Sequence, residues 1–420
     1  MSYTPRWVDL ELDELAELPA VAVEGAKGVG KTFTASRRAA TVLRLDDPDQ
    51  RALLEADPER LARVEGPVLV DEWQRLPRVW DLVRRAVDDG APSGRYLLTG
   101  SATPPPDVDI HSGAGRIVPV RMRPMALTER GNLAPTVSLG GLLGPGVASI
   151  SGACDVPLSG YVEEICATGL PGLRSGSQRA REASVDGYLA RVIDREVPDL
   201  GIGLRRPAAL RAWLAAYAAA TSTTSTYATI LAAATPGDGD QPVRKTAEAY
   251  RDLLTRIWLL DPLPGWIPVS APLRRLQVAP KHHIADPGLA AALLGASPDS
   301  LLDGQGRTLA GGSLLPALFE SIAALTVRVA AQVHRARVMH CRTRNGDHEI
   351  DLIVENRDGS VVGIEVKLGL SASDADVRHL VWLRDQLGTR VRDLVVITAG
   401  REAYRRRDGI AVVPLALLGP

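Results

Sequence analysis

The stretch AVAVEGAKGVGKTFT, Ala20 to Thr34, decides how the N-terminal part of the chain is read. Its apolar opening has the composition of a short buried strand. Glycines at 25, 28 and 30 then strip side chains from the turn that follows. Gly25-Ala26-Lys27-Gly28-Val29-Gly30-Lys31-Thr32 fits the pattern G-x-x-x-x-G-K-[ST] without a mismatch. A loop of this kind wraps phosphate oxygens with its own amide N–H groups, so side chains would be in the way. Lys31 would bridge the β and γ phosphates, and the Thr32 hydroxyl would ligate Mg²⁺. Residues 32–45, TFTASRRAATVLRL, have helical composition and complete a strand–loop–helix order. The first amides of that helix would add positive partial charge beneath the phosphates.

Working outward, GPVLVDEWQ (Gly66 to Gln74) is an apolar β run ending in two carboxylates. Asp71 at the strand end would hold Mg²⁺ through water, and Glu72 would orient and polarise an attacking water. GRYLLTGSA (Gly94 to Ala102) supplies another strand, with Thr99 and Ser101 at its tip as candidate sensors of the γ-phosphate. HSGAGRI follows, with Arg116 set among small residues. Arg116 reads as a sensor or finger arginine, in cis or in trans, or as a surface arginine; all three readings stand at this point.

The chain has 420 residues, 45% hydrophobic and 24% charged, which is the composition of a globular protein of two to four domains. No apolar run in the sequence approaches a bilayer span, and the N-terminus is polar and acidic, so a cytoplasmic protein with no membrane partner is expected. Net charge is −1, so nucleic acid would have to be gripped by local patches. The cysteines, Cys154, Cys166 and Cys341, lie far apart and read as reduced, buried thiols. Of the 49 basic residues only five are lysine: Lys27, Lys31, Lys245, Lys281 and Lys367. Where arginine is the default cation, a retained lysine marks chemistry that needs a compact ammonium.

EGAKGVGKT, LVDEWQRLPRVWDLVRRAVD, YLLTGSA, HSGAGRI and RMRPMAL together resemble a prokaryotic AAA-type family of P-loop ATP-binding proteins with a C-terminal domain of unknown function. The resemblance implies an α/β protein: an AAA-like P-loop ATPase core, a winged-helix-like region and a nuclease-like C-terminal fold. On that basis residues 1–140 form the core, 141–204 a connector and helical lid, 205–310 the winged-helix-like region, and 311–420 a domain of the restriction-endonuclease-like class. ATP and Mg²⁺ are the expected ligands.

The stretch from Ala134 to Gly160 is rich in Gly, Ser and Pro and reads as a flexible connector. YVEEICATGLPGL and SVDGYLARVIDREVPDL are helical and suit a lid that closes on a nucleotide. In the next region Arg205, Arg206, Arg211, Arg274 and Arg275 are the residues that would meet DNA, against the alternative of a packing or oligomer contact. His282 and His283 are adjacent, point to opposite faces of a strand, and are read as structural.

The C-terminal segment has a second constellation. LFESIAALTVRVAAQ is an apolar helix bearing Glu320; EIDLIVE, NRDG and SVVGIEVKLG then read as strand, turn and strand. Glu365 and Lys367 lie two residues apart and share a face, which Asp351 can approach across the hairpin. Helix, Asp, hairpin, Glu-x-Lys is the layout of the PD-(D/E)xK fold, with Ile350 where the literal motif has proline. Asp351, Glu365 and Glu320 would bind Mg²⁺, and Lys367 would activate water. HRARVMHCRTR and REAYRRR would grip a nucleic-acid backbone. Yet Ser313 to the end carries 15 basic against 13 acidic residues, a balance that favours no polyanion. Three readings follow for the whole chain: an ATPase coupled to a nuclease-like domain, an ATP-regulated DNA endonuclease, and a non-cleaving switch. The partners expected besides ATP are DNA, a protein, or further copies of the chain.

Overall fold

The structure, a computed structural model, describes residues 3–101, 113–131, 133–197, 207–235, 244–268 and 279–420. The chain divides into two compact units. The first is Met1–Pro124 with Leu170–Gly172 and Leu253–Leu259; the second holds Met125–Gly169, Leu173–Asp252 and Leu260–Pro420. The segments expected as connector, lid and winged-helix-like region thus share most of their residues with the unit that holds 311–420.

The first unit is built on a parallel sheet of β1 (Ala20–Glu24), β2 (Thr41–Arg44), β3 (Val68–Asp71), β4 (Tyr96–Gly100) and β5 (Val118–Arg121). Its strand order is β2-β3-β4-β1-β5. The inner strands β3 and β4 are buried at every residue, because helices cover both faces of a parallel sheet and leave no polar side to alternate with. Each Val or Leu buried there contributes about 1.5–3 kcal/mol. The glycine loop leads into a helix of Lys31–Ser36 only. The longer helix expected over residues 32–45 is not formed: Thr41–Arg44 is instead edge strand β2, paired with β3. Its β-branched and aliphatic residues gain a ladder and a neighbour, which outweighs weak helical propensity. Trp73 and Trp80 pack as a tilted pair, centroids 4.6 Å apart, in the same core as β3.

In the second unit, β6 (Val137–Ser138) pairs in parallel with the C-terminal β13 (Leu418–Gly419). The stretch expected as a flexible connector is therefore docked. Thr136 N donates to Leu417 O, Cys154 N to Arg401 O and Ala403 N to Gly152 O, while Leu139, Leu142 and Leu143 are buried. The larger sheet comprises β7 (Arg337–Arg342), β8 (Glu349–Glu355), β9 (Val361–Lys367), β10 (Val391–Thr398), β11 (Tyr404–Arg405) and β12 (Ala411–Pro414). It runs β11-β12-β10-β9-β8-β7. The expected β8–β9 hairpin forms, with Leu352 opposite Ile364, and helix Asp374–Leu387 then carries the chain to β10, parallel to β9. Helix Leu314–Val333 packs on β7 and β9. It is long and apolar enough to cross a membrane by length and composition, contrary to the expectation from the sequence, but 83% of its apolar window is buried inside the unit. Helix Leu158–Cys166 packs on Pro287–Leu293 and on Leu314–Val333.

Candidate functional site

The glycine loop is positioned by β1 and β5. Met122, just past β5, donates its amide to Glu24 O at 2.7 Å, and a Cβ on Gly25 would stand 2.1 Å from Met122 O. The first glycine is thus demanded by the passing backbone of the next strand. Gly28 and Gly30 have φ of 83° and 103°, the left-handed region that other residues avoid. Lys31 Nζ donates to Gly25 O and Ala26 O at 2.8 and 2.9 Å, which holds the ammonium inside the loop. Arg6, which no sequence pattern pointed to, is buried beneath the loop and donates to Val29 O at 3.0 Å and Arg123 O at 2.9 Å.

The strand order places the acidic tip beside this loop with one strand between them. Thr99 of β4 registers with Val23 of β1 on one side and Asp71 of β3 on the other. Its hydroxyl donates to Asp71 Oδ1, and the same oxygen accepts from Thr32 Oγ1 at 2.7 Å. Glu72 sits at φ 53°, ψ 46°, a conformation that costs a non-glycine residue free energy and is found at sites where a side chain must be aimed. Its Oε2 accepts from Ser101 Oγ at 3.1 Å and from Gln74 Nε2. Gln74 also reaches Ser101 Oγ at 3.3 Å. The structure therefore brings together Gly25–Thr32, Asp71, Glu72, Thr99 and Ser101, and adds Gln74 and Arg6. It does not bring Arg116 to them: that side chain, 47% exposed, donates to Asp88 Oδ1 at 2.8 Å and to Ala114 O. The donor set fits Mg²⁺, which takes oxygen ligands such as the Thr32 hydroxyl and the Asp71 carboxylate, held 2.7 Å apart.

Residues 17–130 match the model of an AAA domain. The N-terminal segment is thus similar to an AAA-type P-loop domain. Residues 159–300 and 316–418 match two further models, each a domain of unknown function, DUF8612 and DUF4143. The chain is 28% identical over 412 residues to the uncharacterized protein Rv2008c of Mycobacterium tuberculosis, covering 95% of this chain and 81% of that one. The same figures hold for the uncharacterized protein Mb2031c of Mycobacterium bovis. The Walker-type ATPase PABY2304 of Pyrococcus abyssi aligns with a TM-score of 0.41 at 15% identity, over 69% of this chain and 96% of that chain.

The second unit gathers its own cluster. Glu320 comes from helix Leu314–Val333, Glu349 and Asp351 from one face of β8, and Glu365 and Lys367 from β9. Lys367 Nζ lies 2.9 Å from Glu365 Oε2, and Val366 N donates to Asp351 Oδ2 at 2.9 Å. Between the carboxylates sits Lys281, a residue given no role in the sequence beyond its rarity. Its Nζ is 2.8 Å from Glu320, 3.0 Å from Asp351 and 3.3 Å from Glu349. It arrives on a segment in which Leu263 and Lys281 form an antiparallel bridge, next to the Gly265–His340 bridge that joins β7. Burial and the neighbouring Asp351 push Glu320 up to about 8, and the same two causes hold Glu365 well above the usual carboxylate range. For Asp351 burial works upward but Lys281 and Lys367 overcome it, leaving a lowered carboxyl. His340 falls to about 4, through burial and then the Lys281 charge.

Among the described residues, no three His, Cys, Asp or Glu side chains converge as a metal-holding group. Several arginines of the basic stretches are engaged internally. Arg337 pairs with Glu355, Arg342 with Glu349, Arg405 with Asp393, and Arg406 with Asp374 and Asp408. Of the arginines expected to meet DNA, Arg205, Arg206, Arg274 and Arg275 lie outside the described residues, and Arg211 pairs with Asp194 at 3.7 Å. His282 and His283 bond in opposite directions, to Ser225 O and Ser321 Oγ.

Proposed function

We propose that the N-terminal unit binds ATP and hydrolyses it, and that the nucleotide state is passed to a C-terminal domain of nuclease-like fold. The observation that supports hydrolysis is the shared contact of Thr32, Thr99 and Asp71, with Glu72 one residue further on and aimed by Gln74 and Ser101. Thr32 and Asp71 would hold Mg²⁺, which supplies charge neutralisation on the phosphate oxygens. Loop amides and Lys31 would fix the β and γ phosphates. Glu72 would orient a water in line with the γ-phosphorus and draw its proton, and Thr99 keeps Asp71 in place.

The test is ATP turnover with and without DNA. Lys31→Ala should abolish nucleotide binding, and Glu72→Gln should keep binding while turnover falls by about 100-fold or more. Turnover unchanged in Glu72→Gln would remove the assignment. A second reading, an ATP-regulated DNA endonuclease, has in its favour the convergence of Glu320, Asp351, Glu365 and Lys367. It requires Mg²⁺-dependent nicking by wild type that Lys367→Ala abolishes with ATP turnover intact. A non-cleaving switch would instead show a Glu72→Gln variant that holds DNA or a protein partner more tightly with ATP than without.

A further inference from the structure

We infer that Lys281 is the resident cation of the C-terminal carboxylate cluster, and that this cluster takes no divalent metal while Lys281 is in place. The inference is independent of any nucleotide chemistry in the first unit.

The Lys281 ammonium donates to Glu320 Oε1 at 2.8 Å and Asp351 Oδ1 at 3.0 Å, and Glu349 Oε1 lies within ion-pair range at 3.3 Å. These are ammonium spacings. Mg²⁺ needs oxygens near 2.0–2.1 Å in a nearly octahedral set, so the same carboxylates cannot serve both ions at once. Lys281 has little freedom to leave. Its backbone is tied in both directions to Leu263, N to O at 2.9 Å and O to N at 2.8 Å, and the residue is 1% exposed. Withdrawing it would take from Glu320 and Asp351 the ammonium that both contact, leaving Lys367, beside Glu365, as the lysine still in the cluster. Glu365, 3% exposed, keeps Oε1 buried without a hydrogen-bond partner. With Lys281 gone, Glu320 Oε1 and Asp351 Oδ1 would lose the partner they share, and Glu365 Oε1 already has none. The layout that suggests a metal-dependent nuclease is thus present, and a lysine from outside the motif fills the place of its ion.

The test is Mn²⁺ titration of the full-length, nucleotide-free chain, followed by the electron paramagnetic resonance of free Mn²⁺. Wild type and Asp351→Asn should give the same isotherm. Lys281→Met should bind one additional Mn²⁺ per chain, and Lys281→Met with Asp351→Asn should lose it again. A wild-type site that Asp351→Asn removes would overturn the inference, and so would a folded Lys281→Met that gains no site. Should Lys281→Met fail to fold, the comparison of wild type with Asp351→Asn decides alone, coincidence supporting the inference and a lost site ending it.

Discussion

Thr99 illustrates how far one residue carries the chemistry of the first unit. It is fully buried, and its hydroxyl and that of Thr32 both donate to Asp71 Oδ1. Thr99→Val keeps the shape and removes one donor, leaving a carboxylate less firmly held. The expected outcome is a fall in kcat with little change in KM for ATP, and a stability loss of about 1.5–3 kcal/mol for a hydrogen bond to a charged group. Thr99→Ser should restore most of both. Steady-state kinetics beside denaturant unfolding would check this; equal effects on kcat and KM would place Thr99 in nucleotide binding instead. This residue was legible because strand tips beside an acidic strand end are a local pattern. Lys281 was not, because its partners lie 39, 68 and 70 positions away and nothing in PKHHIADPG marks it except that lysine is scarce in the chain.

At the scale of elements, four stretches among the blocks that carried the family resemblance pack together. DEWQ supplies Trp73, which packs at a tilt against the Trp80 of LPRVW. Gly100 of YLLTGSA lies so near that a Cβ would be 2.9 Å from both Trp73 Nε1 and Gln74 Oε1. Gly113 of HSGAGRI has φ 67°, and its Cβ would be 2.7 Å from Trp80 Nε1. Gly113→Ala therefore meets both backbone strain and overpacking, and should cost about 1–3 kcal/mol in thermal unfolding. An unchanged melting temperature would show that Trp80 yields freely.

The helix–hairpin pair in the second unit gives a pH prediction. The Glu320 carboxyl is raised to about 8 from an ordinary value of 4.5, mainly by burial. Between those values the folded chain keeps a proton that the unfolded chain has lost. This group's contribution is therefore complete below its unfolded value and declines as pH rises to about 8, by up to about 1.4 kcal/mol per unit. Glu320→Gln cannot titrate, so its unfolding free energy should lose that slope between pH 6 and 8. Parallel wild-type and variant slopes would show Glu320 ionised throughout. The hairpin was readable from two apolar runs on either side of an NRDG turn. The cluster's charge balance was not, since it depends on an isolated bridge between Leu263 and Lys281, which nothing local to either residue announces.

The whole molecule differs most from its linear reading. A Gly/Pro-rich stretch suggested that the first domain ends near residue 140, but turn-forming composition says nothing of what the backbone pairs with. Met125 N already bonds Gly169 O, and β6 pairs with a strand near the C-terminus, so the chain belongs to the second unit from Met125 onward. Conversely, the first unit recruits Leu170–Gly172 and Leu253–Leu259 from far downstream. Pro171 Cγ lies 3.9 Å from where a Gly30 Cβ would be, and the Arg121 guanidinium sits 4.7 Å from the ring centroid of Trp258. A fragment of residues 1–130 carries the whole glycine loop and acidic pair, yet lacks both supports. It should melt lower than the ATP-responsive transition of the full chain and show a smaller ATP-induced shift. Within the full chain, Trp258→Ala removes only the cation–π contact and its packing, and should lower that transition by about 0.5–2 kcal/mol. Thermal unfolding with and without ATP separates the cases. A fragment as stable and as responsive as the full chain would mean that residues 1–130 already contain all that the nucleotide site needs, and that the two downstream segments rest on a unit they do not help to hold together.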